Sequence, residues 1–281
     1  MGNNTADNSS MELNIKYEKL CRILSELGSA AVCYSGGVDS TFLLTVADEV
    51  LGDRCIGVIC TDASVPSREI EKAEEYCKER GIRLIEAPVD PMQSEEYRKN
   101  SPDRCYYCKH SIMSEVRRVA DENGLRYLAE GSNLDDLGDY RPGMRALQEL
   151  GVKSPLREAG FTKQDIRDKS KEMNIPTWDK PSFACLASRI PYGTEITKEK
   201  LVTIDRAEEV MSDLGFRQFR VRMHGKIARI EVLAEDIEKA ASREVREKLV
   251  KELTGLGFDY VTLDLSGFRS GSMNKAINKK L

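Results

Sequence analysis

Residues Ser35-Gly36-Gly37-Val38-Asp39-Ser40 follow directly on the apolar run Ala30-Ala31-Val32-Cys33-Tyr34. An apolar strand, a glycine-rich polar turn and an apolar-periodic helix (Phe42, Leu43, Leu44, Val46, Val50, Leu51) make a cradle for a phosphate. The glycines let backbone N–H groups close around an anion, and the helix adds its positive end. Ser35, Ser40 and Thr41 bring hydroxyl donors, and Asp39 brings a carboxylate. No lysine follows the glycines, so this is not the Walker arrangement. The plain alternative is a Gly-Gly turn between strand and helix that holds nothing.

A second group is the run Gly131-Ser132-Asn133-Leu134-Asp135-Asp136-Leu137-Gly138-Asp139-Tyr140-Arg141. Its carboxylates, with Asn133 beside them, could hold Mg²⁺ against phosphates, since that ion takes a few oxygen ligands plus water and phosphate. Arg141 or Arg145 could then neutralise a phosphate group. Taken alone, the run reads as a solvated acidic turn whose Asn133 and Asp135 bond their own backbone.

Cysteines form the third group. Cys105-Tyr106-Tyr107-Cys108 is a CxxC, and Cys185 stands in Ser182-Phe183-Ala184-Cys185-Leu186-Ala187-Ser188-Arg189. Cys21, Cys33, Cys55, Cys60 and Cys77 fall in apolar or helical runs and read as packing residues. Three readings compete for the other three. A zinc site wants four protein ligands, or three and an open position, and only His110 and His224 could supplement the thiols. A thioredoxin-like pair needs a matching fold around its CxxC. Three thiolates on an iron–sulfur cluster would leave one iron without a protein ligand, open to substrate or hydrosulfide. An unbound, structural CxxC is the plain alternative. Lys109 and Arg189 lie beside these cysteines and could stabilise a thiolate, or could be surface charges.

The elements that must position these groups alternate. Leu13, Tyr17, Leu20, Leu24 and Leu27 recur at steps of four and three and predict a leading helix over 11–27. Strands are predicted at 30–34, 55–60, 82–87 and 126–130, with helices at 41–51, 67–80 and 105–123. That order implies right-handed crossovers and a parallel sheet covered on both faces, with ligands beyond the carboxyl ends of the strands. Ser35–Ser40, Thr61-Asp62 and Gly131-Ser132-Asn133 all stand at such ends. From about Pro191 the pattern changes to helix 198–214, strands 218–223 and 227–233, helix 234–253 and strand 258–265. This αββαβ order predicts a small C-terminal α+β domain, residues 191–281, after a parallel-sheet α/β domain over 1–190. Alternation puts Phe219, Val221 and Met223 on one face of its first strand and Arg220 and Arg222 on the other, where two arginines could bind a phosphate. The safer reading for either arginine alone is a solvated strand face paired with Glu231.

A chain of 281 residues with 40% hydrophobic and 32% charged residues can bury real cores and is not disordered. The net charge of −4 argues weakly against nucleic acid, which favours a basic face. Residues 1–13 lack the apolar core of a secretory signal, and no apolar stretch reaches membrane-spanning length. Eight cysteines without such a signal read as reduced thiols in a cytoplasmic protein.

Residues Ser35–Ser40 resemble the PP-loop, SGGxDS, of enzymes that cleave ATP to AMP and pyrophosphate. With SGGVDSTFLL, the segments TDASVPSRE, DRCYYCK, EGSNLDDLGDYRPG, KPSFACLASRIPYGTEIT and LDLSGFRSGSMN are similar to the LarE family, from about residue 17 to 274. These are ATP-dependent sulfur transferases that help make the nickel-pincer nucleotide of lactate racemase. The resemblance implies a PP-loop (adenine nucleotide alpha hydrolase-like, Rossmann-like) fold that binds ATP and Mg²⁺. Ser35, Gly36, Gly37, Asp39, Ser40, Gly131, Asn133, Asp135 and Asp136 would hold the nucleotide and metal. The implied substrate is pyridinium-3,5-biscarboxylic acid mononucleotide, whose carboxylate is adenylated and then attacked by sulfur from a sulfide or other donor. Arg220 and Arg222 would bind the mononucleotide phosphate. Cys185 matches the family's working cysteine, and Asp39, Ser188 and Arg189 join it as catalytic candidates. In one branch of the family that single cysteine gives up its own sulfur. In the other, three cysteines, here Cys105, Cys108 and Cys185, hold a 4Fe–4S cluster, and this chain matches that branch. The resemblance also suggests a homo-oligomer, up to a hexamer, while the charge and the lack of a long apolar stretch predict no nucleic-acid or membrane partner. It includes Phe268–Asn274 as a closing motif without a derived role.

Rival readings differ in testable ways. A PP-loop tRNA thiolase would need a basic RNA surface and often carries further CxxC pairs. An amidating ligase of the NAD or GMP synthetase type needs no cysteine trio. A nucleotide sensor whose cysteines report redox state would release no pyrophosphate.

Overall fold

A computed structural model describes residues 3–138, 142–181 and 184–269. In chain order its elements are α1 (Asn3–Leu27), β1 (Ala30–Tyr34), α2 (Val38–Leu51), β2 (Cys55–Thr61), α3 (Ser67–Arg80), β3 (Leu84–Pro88), α4 (Glu95–Arg98) and α5 (Arg104–Glu122). There follow β4 (Tyr127–Ala129), α6 (Pro142–Glu149), α7 (Pro155–Ala159), α8 (Lys163–Glu172), α9 (Lys198–Asp213), β5 (Phe219–His224), β6 (Ile227–Val232), α10 (Ile237–Ala241), α11 (Arg243–Gly255) and β7 (Tyr260–Leu263). They form two compact units. One comprises Met1–Asp62, Arg68–Pro91 and Cys105–Ser182; the other comprises Ala63–Ser67, Met92–Arg104 and Phe183–Leu281. A sequence division at 190/191 leaves the Cys185 segment with the first unit, whereas its contacts group it with the second.

The first unit is built on four parallel strands in the order β3-β2-β1-β4. Ala30 faces Cys55 on one side and Tyr127 on the other. The side-chain period of two sorts β1 cleanly. Ala30, Val32 and Tyr34 enter one core with Leu20 and Leu24 of α1, Phe42 and Leu43 of α2, and Phe161. Ala31 enters the opposite core with Val116, Val119 and Ala120 of α5. Both faces are covered, as a parallel sheet requires. Helix α2 is buried nearly all round, and its Phe42 ring lies 5.4 Å from that of Phe161. Burying a phenylalanine of this kind contributes about 1.5–3 kcal/mol, so the core fixes the helix that starts at the glycine turn.

The chain leaves β1 for β2 on one side and later returns to β4 on the other. Such a reversal opens a crevice at the carboxyl ends of the two strands, because their loops run off in opposite directions. Residues after Tyr34 and after Ala129 stand at that crevice.

The sequence pattern assigns no element between 131 and 190, yet α6, α7 and α8 lie there. Their lengths of 8, 5 and 10 residues are too short for a periodic signal. Local chemistry bounds them instead. Gly160, at φ +89°, ends α7, and a capping box between Thr162 and Asp165 starts α8.

In the second unit, α9 accompanies a sheet of order β5-β6-β7, antiparallel between β5 and β6 and parallel between β6 and β7. The expected helix over 234–253 is broken. Ser242 is extended (φ −57°, ψ 149°) between α10 and α11, and its hydroxyl donates to Lys239 O at 2.8 Å. A serine bonded locally in this way competes with helix propagation. Among the described residues, no helix is long and apolar enough to cross a membrane. Asp139, Tyr140, Arg141, Ser182, Phe183, the closing motif from Ser270 to Asn274 and the tail 275–281 lie outside the described residues.

Candidate functional site

At the β1/β4 crevice the first unit holds a cavity of about 450 Å³. Its lining comes from the turn after β1 (Ser35, Gly37, Asp39, Ser40) and from the segment after β4 (Glu130 to Asn133, Asp135, Asp136). Cys33, Lys109 and Lys163 complete it. The volume is within the usual range for a small-molecule site.

The glycine turn is shaped for an anion. Gly37 precedes α2 with extended backbone and no side-chain cap, and the first intrahelical bond is Thr41 N–H to Gly37 O at 3.0 Å. The preceding N–H groups of the helix have no intrahelical acceptor. Ser35 and Ser40 brace one another, with their hydroxyls 3.0 Å apart and Ser35 N–H donating to Ser40 Oγ at 3.2 Å. Thr41 departs from expectation. Its hydroxyl donates to Gly37 O at 2.7 Å and the residue is fully buried, so it builds the turn rather than facing a ligand.

Gly36 adopts φ +66°, and a Cβ there would come within 3.0 Å of Ala73 Cβ. Its carbonyl accepts from Lys180 Nζ at 2.8 Å, and that ammonium also pairs with buried Glu69 at 2.6 Å. Gly131 is needed for close approach. A Cβ there would meet Ser40 N at 3.0 Å and Asp39 C at 3.2 Å, so the segment after β4 lies directly against the start of α2.

Asp39 sits between two environments. One oxygen, Oδ2, accepts from Lys163 Nζ at 2.5 Å, while Oδ1 is buried without a hydrogen-bond partner. Burial holds its carboxyl above the ordinary aspartate range, against the pull of Lys163 and with the repulsion of Asp136. An orphaned carboxylate oxygen in a polar cavity suits a divalent cation bridging to phosphate. The acidic loop is partly self-bonded, as the plain reading expected. Asn133 Oδ1 accepts from Asp135 N at 2.9 Å, Asp136 Oδ2 accepts from Asn133 N at 2.9 Å, and Asp135 Oδ2 accepts from Lys163 N at 2.8 Å. Asp135 and Asp136 nonetheless line the cavity. Arg145 does not; its guanidinium lies 3.9 Å from the Tyr106 ring centroid and pairs with Glu149.

At the start of the segment after β4, buried Glu130 accepts from Ser132 Oγ at 2.8 Å and Ser154 Oγ at 2.7 Å. Burial works against the charge of Lys109, and the neighbouring Cys33 and Glu130 outweigh it, so its pKa is raised. Cys33, read from sequence as packing, also lines the cavity, and burial raises its pKa. Cys55, Cys60 and Cys77 are buried as expected.

Cys105 and Cys108 are the second and fifth residues of α5 in the first unit, three residues apart and therefore on one face. A helix start favours thiolates. Cys185 belongs to the second unit. Among the described residues, no three His, Cys, Asp or Glu side chains converge into a ready-made metal site.

Within the second unit, Arg189 is the largest fully buried side chain. It forms a bidentate pair with Glu208 (2.8 and 2.9 Å) and donates to the carbonyls of Ala184 at 2.6 Å and Cys185 at 3.2 Å. Expected as a catalytic candidate, it has no exposed surface and is bonded to the backbone of the Cys185 turn. It also donates to the Ser188 hydroxyl at 3.0 Å. Arg220 and Arg222 do not lie on a solvated face: both are buried. Arg222 donates to Ser188 O at 2.8 Å and Glu231 Oε2 at 2.9 Å. Arg220 donates to Phe219 O at 2.6 Å and lies 4.9 Å from the Phe268 ring centroid. Burial, then the like charge of Arg189, works against its charge and lowers its pKa, with Glu208 opposing.

No protein-family profile matches the chain. It is 39% identical over 267 residues to the uncharacterized protein slr1717 of Synechocystis sp., across 95% of this chain and all of that protein. It is 36% identical over 268 residues to the pyridinium-3,5-bisthiocarboxylic acid mononucleotide synthase of Lactiplantibacillus plantarum, across 95% of this chain and 96% of that enzyme. The chain belongs to the LarE family. More distantly, it is 23% identical over 66% of its length to 65% of a chain of the glutamine-hydrolyzing GMP synthase of Archaeoglobus fulgidus. That similarity accords with the parallel sheet and glycine turn of the first unit.

Several residues of this LarE chain were not legible as site residues. Lys163, Lys180 and Glu130 reach the cavity or its turn, and Glu208 lies under the Cys185 turn. Asn100, fully buried at φ +53°, donates through Nδ2 to the carbonyls of Ile190, Pro191 and Thr194, and Arg104 donates to Asn100 and Ala187. An Asn or Glu inside a polar run carries no local sign of such a role.

Proposed function

We propose that this protein is an ATP-dependent sulfur transferase acting on pyridinium-3,5-biscarboxylic acid mononucleotide, forming AMP, pyrophosphate and thiocarboxylates. The observation that carries the reading is the polar cavity at the β1/β4 crevice, joined to the full-length likeness to the synthase named above.

A carboxylate resists nucleophiles because of its own charge. In the proposed reaction its oxygen attacks the α-phosphate of ATP, the bond to pyrophosphate breaks, and AMP becomes the leaving group of an acyl-adenylate. The N–H groups at the start of α2 and the Ser35 and Ser40 hydroxyls would cradle the phosphates, with Gly36, Gly37, Gly131 and Asn133 shaping the walls. Asp39, with Asp135 or Asp136, would hold Mg²⁺, which spreads the charge of departing pyrophosphate. A sulfur nucleophile then displaces AMP.

Thiolate donors suit an iron–sulfur cluster, and Cys105 and Cys108 on one helical turn suit two of its ligands. We assign Cys185 as the third. When bound, a 4Fe–4S cluster would offer an iron without a protein ligand as the carrier of sulfide. Arg189 would orient the Cys185 turn, Ser188 would stand beside it, and Arg220 and Arg222 would attract the substrate phosphate. Buried arginines already engaged with Glu231 and backbone carbonyls can take a phosphate only by exchanging partners, which makes this the most demanding part of the reading.

Anaerobic purification with iron and acid-labile sulfide analysis tests the sulfur route. About four irons per chain, lost in Cys105→Ala, Cys108→Ala or Cys185→Ala, supports the cluster. An iron-free protein after anaerobic reconstitution overturns it and makes Cys185 the sulfur donor itself.

A further inference from the structure

Among the described residues, Lys163 is the one lysine paired with Asp39, and its two ends are held differently. Its backbone is pinned: N–H donates to Asp135 Oδ2 at 2.8 Å, and the capping box of Thr162 and Asp165 fixes the start of α8 directly before it. Asp165 is itself paired with Lys16 at 2.9 Å. The side chain projects from this anchor into the cavity, a third exposed, and ends on Asp39 Oδ2. A single ammonium there is a half-measure. It satisfies one carboxylate oxygen and leaves Oδ1 buried and unpartnered, in a cavity that also contains Asp135 and Asp136. A divalent ion could bind Oδ1, and its charge would then repel the ammonium held 2.5 Å from the other oxygen of the same carboxylate.

We infer that Lys163 is a place-holding cation: it neutralises Asp39 while the cavity is empty, yields that carboxylate to the metal when metal–nucleotide enters, and moves its ammonium onto the β- and γ-phosphates. A flexible four-carbon stem with a compact charge at its tip suits such an exchange, because only the tip must move while the helix start stays fixed. The exchange conserves charge pairing throughout. Asp39 passes from one cation to another, and the displaced ammonium finds the phosphates that arrive with the metal. No bond is made or broken. The inference rests on the assignment of this cavity to ATP and its metal.

Its signature is a pair of opposite effects in one variant. Mn²⁺ binding to nucleotide-free protein can be read from the electron paramagnetic resonance of unbound Mn²⁺, and Mg²⁺–ATP binding from titration calorimetry. In Lys163→Ala, removing the competing charge is expected to tighten Mn²⁺ binding about tenfold. The same change is expected to weaken Mg²⁺–ATP binding about tenfold, through loss of a charge-assisted phosphate contact. Lys163→Arg, which keeps the charge, should restore most of the nucleotide affinity. Asp39→Asn should abolish the Mn²⁺ response in both backgrounds. Unchanged Mn²⁺ and nucleotide affinities in Lys163→Ala, with a lowered melting temperature, would make the lysine a structural pin and overturn the inference while leaving the cavity assignment intact. Tighter Mn²⁺ with unchanged Mg²⁺–ATP affinity would also overturn it, since the ammonium would never reach the phosphates. A wild-type protein that binds no Mg²⁺–ATP would instead overturn the cavity assignment beneath it.

Discussion

Arg189 and Glu208 face each other through two parallel hydrogen bonds with no exposed surface on either side chain. Glu208 Oε1 also accepts from Val221 N at 3.0 Å, so one carboxylate joins α9, the Cys185 turn and β5. Removing one partner of a buried pair strands the other charge. Glu208→Ala is therefore expected to cost about 3–5 kcal/mol in urea unfolding. Arg189→Lys, which cannot reproduce the fork, should release the Ala184 and Cys185 carbonyls and speed alkylation of Cys185. Wild-type stability in Glu208→Ala would refute the role given to the pair.

The contact between the two walls of the cavity gives a second expectation. Gly131→Ala places a methyl group 3.0 Å from Ser40 N, against backbone that cannot rotate away. Overpacking of this kind costs about 1–3 kcal/mol. Here the strain falls on the turn that would cradle phosphate, so ATP affinity measured by calorimetry should drop while circular dichroism stays native. An unchanged affinity would mean that the two walls do not act together.

How much of this was legible beforehand depends on the range of the interaction. The strand over residues 30–34 and the turn that follows are local patterns, and both stand where alternation and the Gly-Gly pair put them. Lys163 lies 124 residues from Asp39, and no spacing rule connects them. Glu208 is 19 residues from Arg189 on an ordinary amphipathic helix, where a glutamate reads as surface. For Arg220 and Arg222, alternation sorted their face correctly but not its burial. The turn carrying Ser188 and the partner strand with Glu231 cover that face, and both come from elsewhere in the chain.

The buried thiols supply a pH dependence. Burial raises Cys77 to about 11 and Cys55 to about 12, against an ordinary thiol value of 9.0. The unfolded chain loses these protons first, so between pH 9.0 and those values the native state binds more protons than the unfolded state. Stability from these groups is intact below pH 9.0 and falls as pH rises above it. Urea midpoints should decline over that range, and less steeply in Cys55→Ala or Cys77→Ala. In folded, cluster-free protein near neutral pH, iodoacetamide should label exposed Cys105 well before Cys55, Cys60 or Cys77. Equal labelling of the buried thiols would contradict the packing described.

In the proposed function the cavity activates a carboxylate at the expense of ATP so that sulfur can replace oxygen. The most direct measurement supplies anaerobic protein with Mg²⁺–ATP, sulfide and pyridinium-3,5-biscarboxylic acid mononucleotide, then follows pyrophosphate release and the mass of the pyridinium product together. Pyrophosphate is expected only when the dicarboxylate is present, together with a product in which sulfur has replaced a carboxylate oxygen. Asp39→Asn should lose both signals, whereas Cys185→Ala should lose only the sulfur product. No pyrophosphate in the presence of the dicarboxylate, or pyrophosphate released with no sulfur in the pyridinium product, would contradict that function.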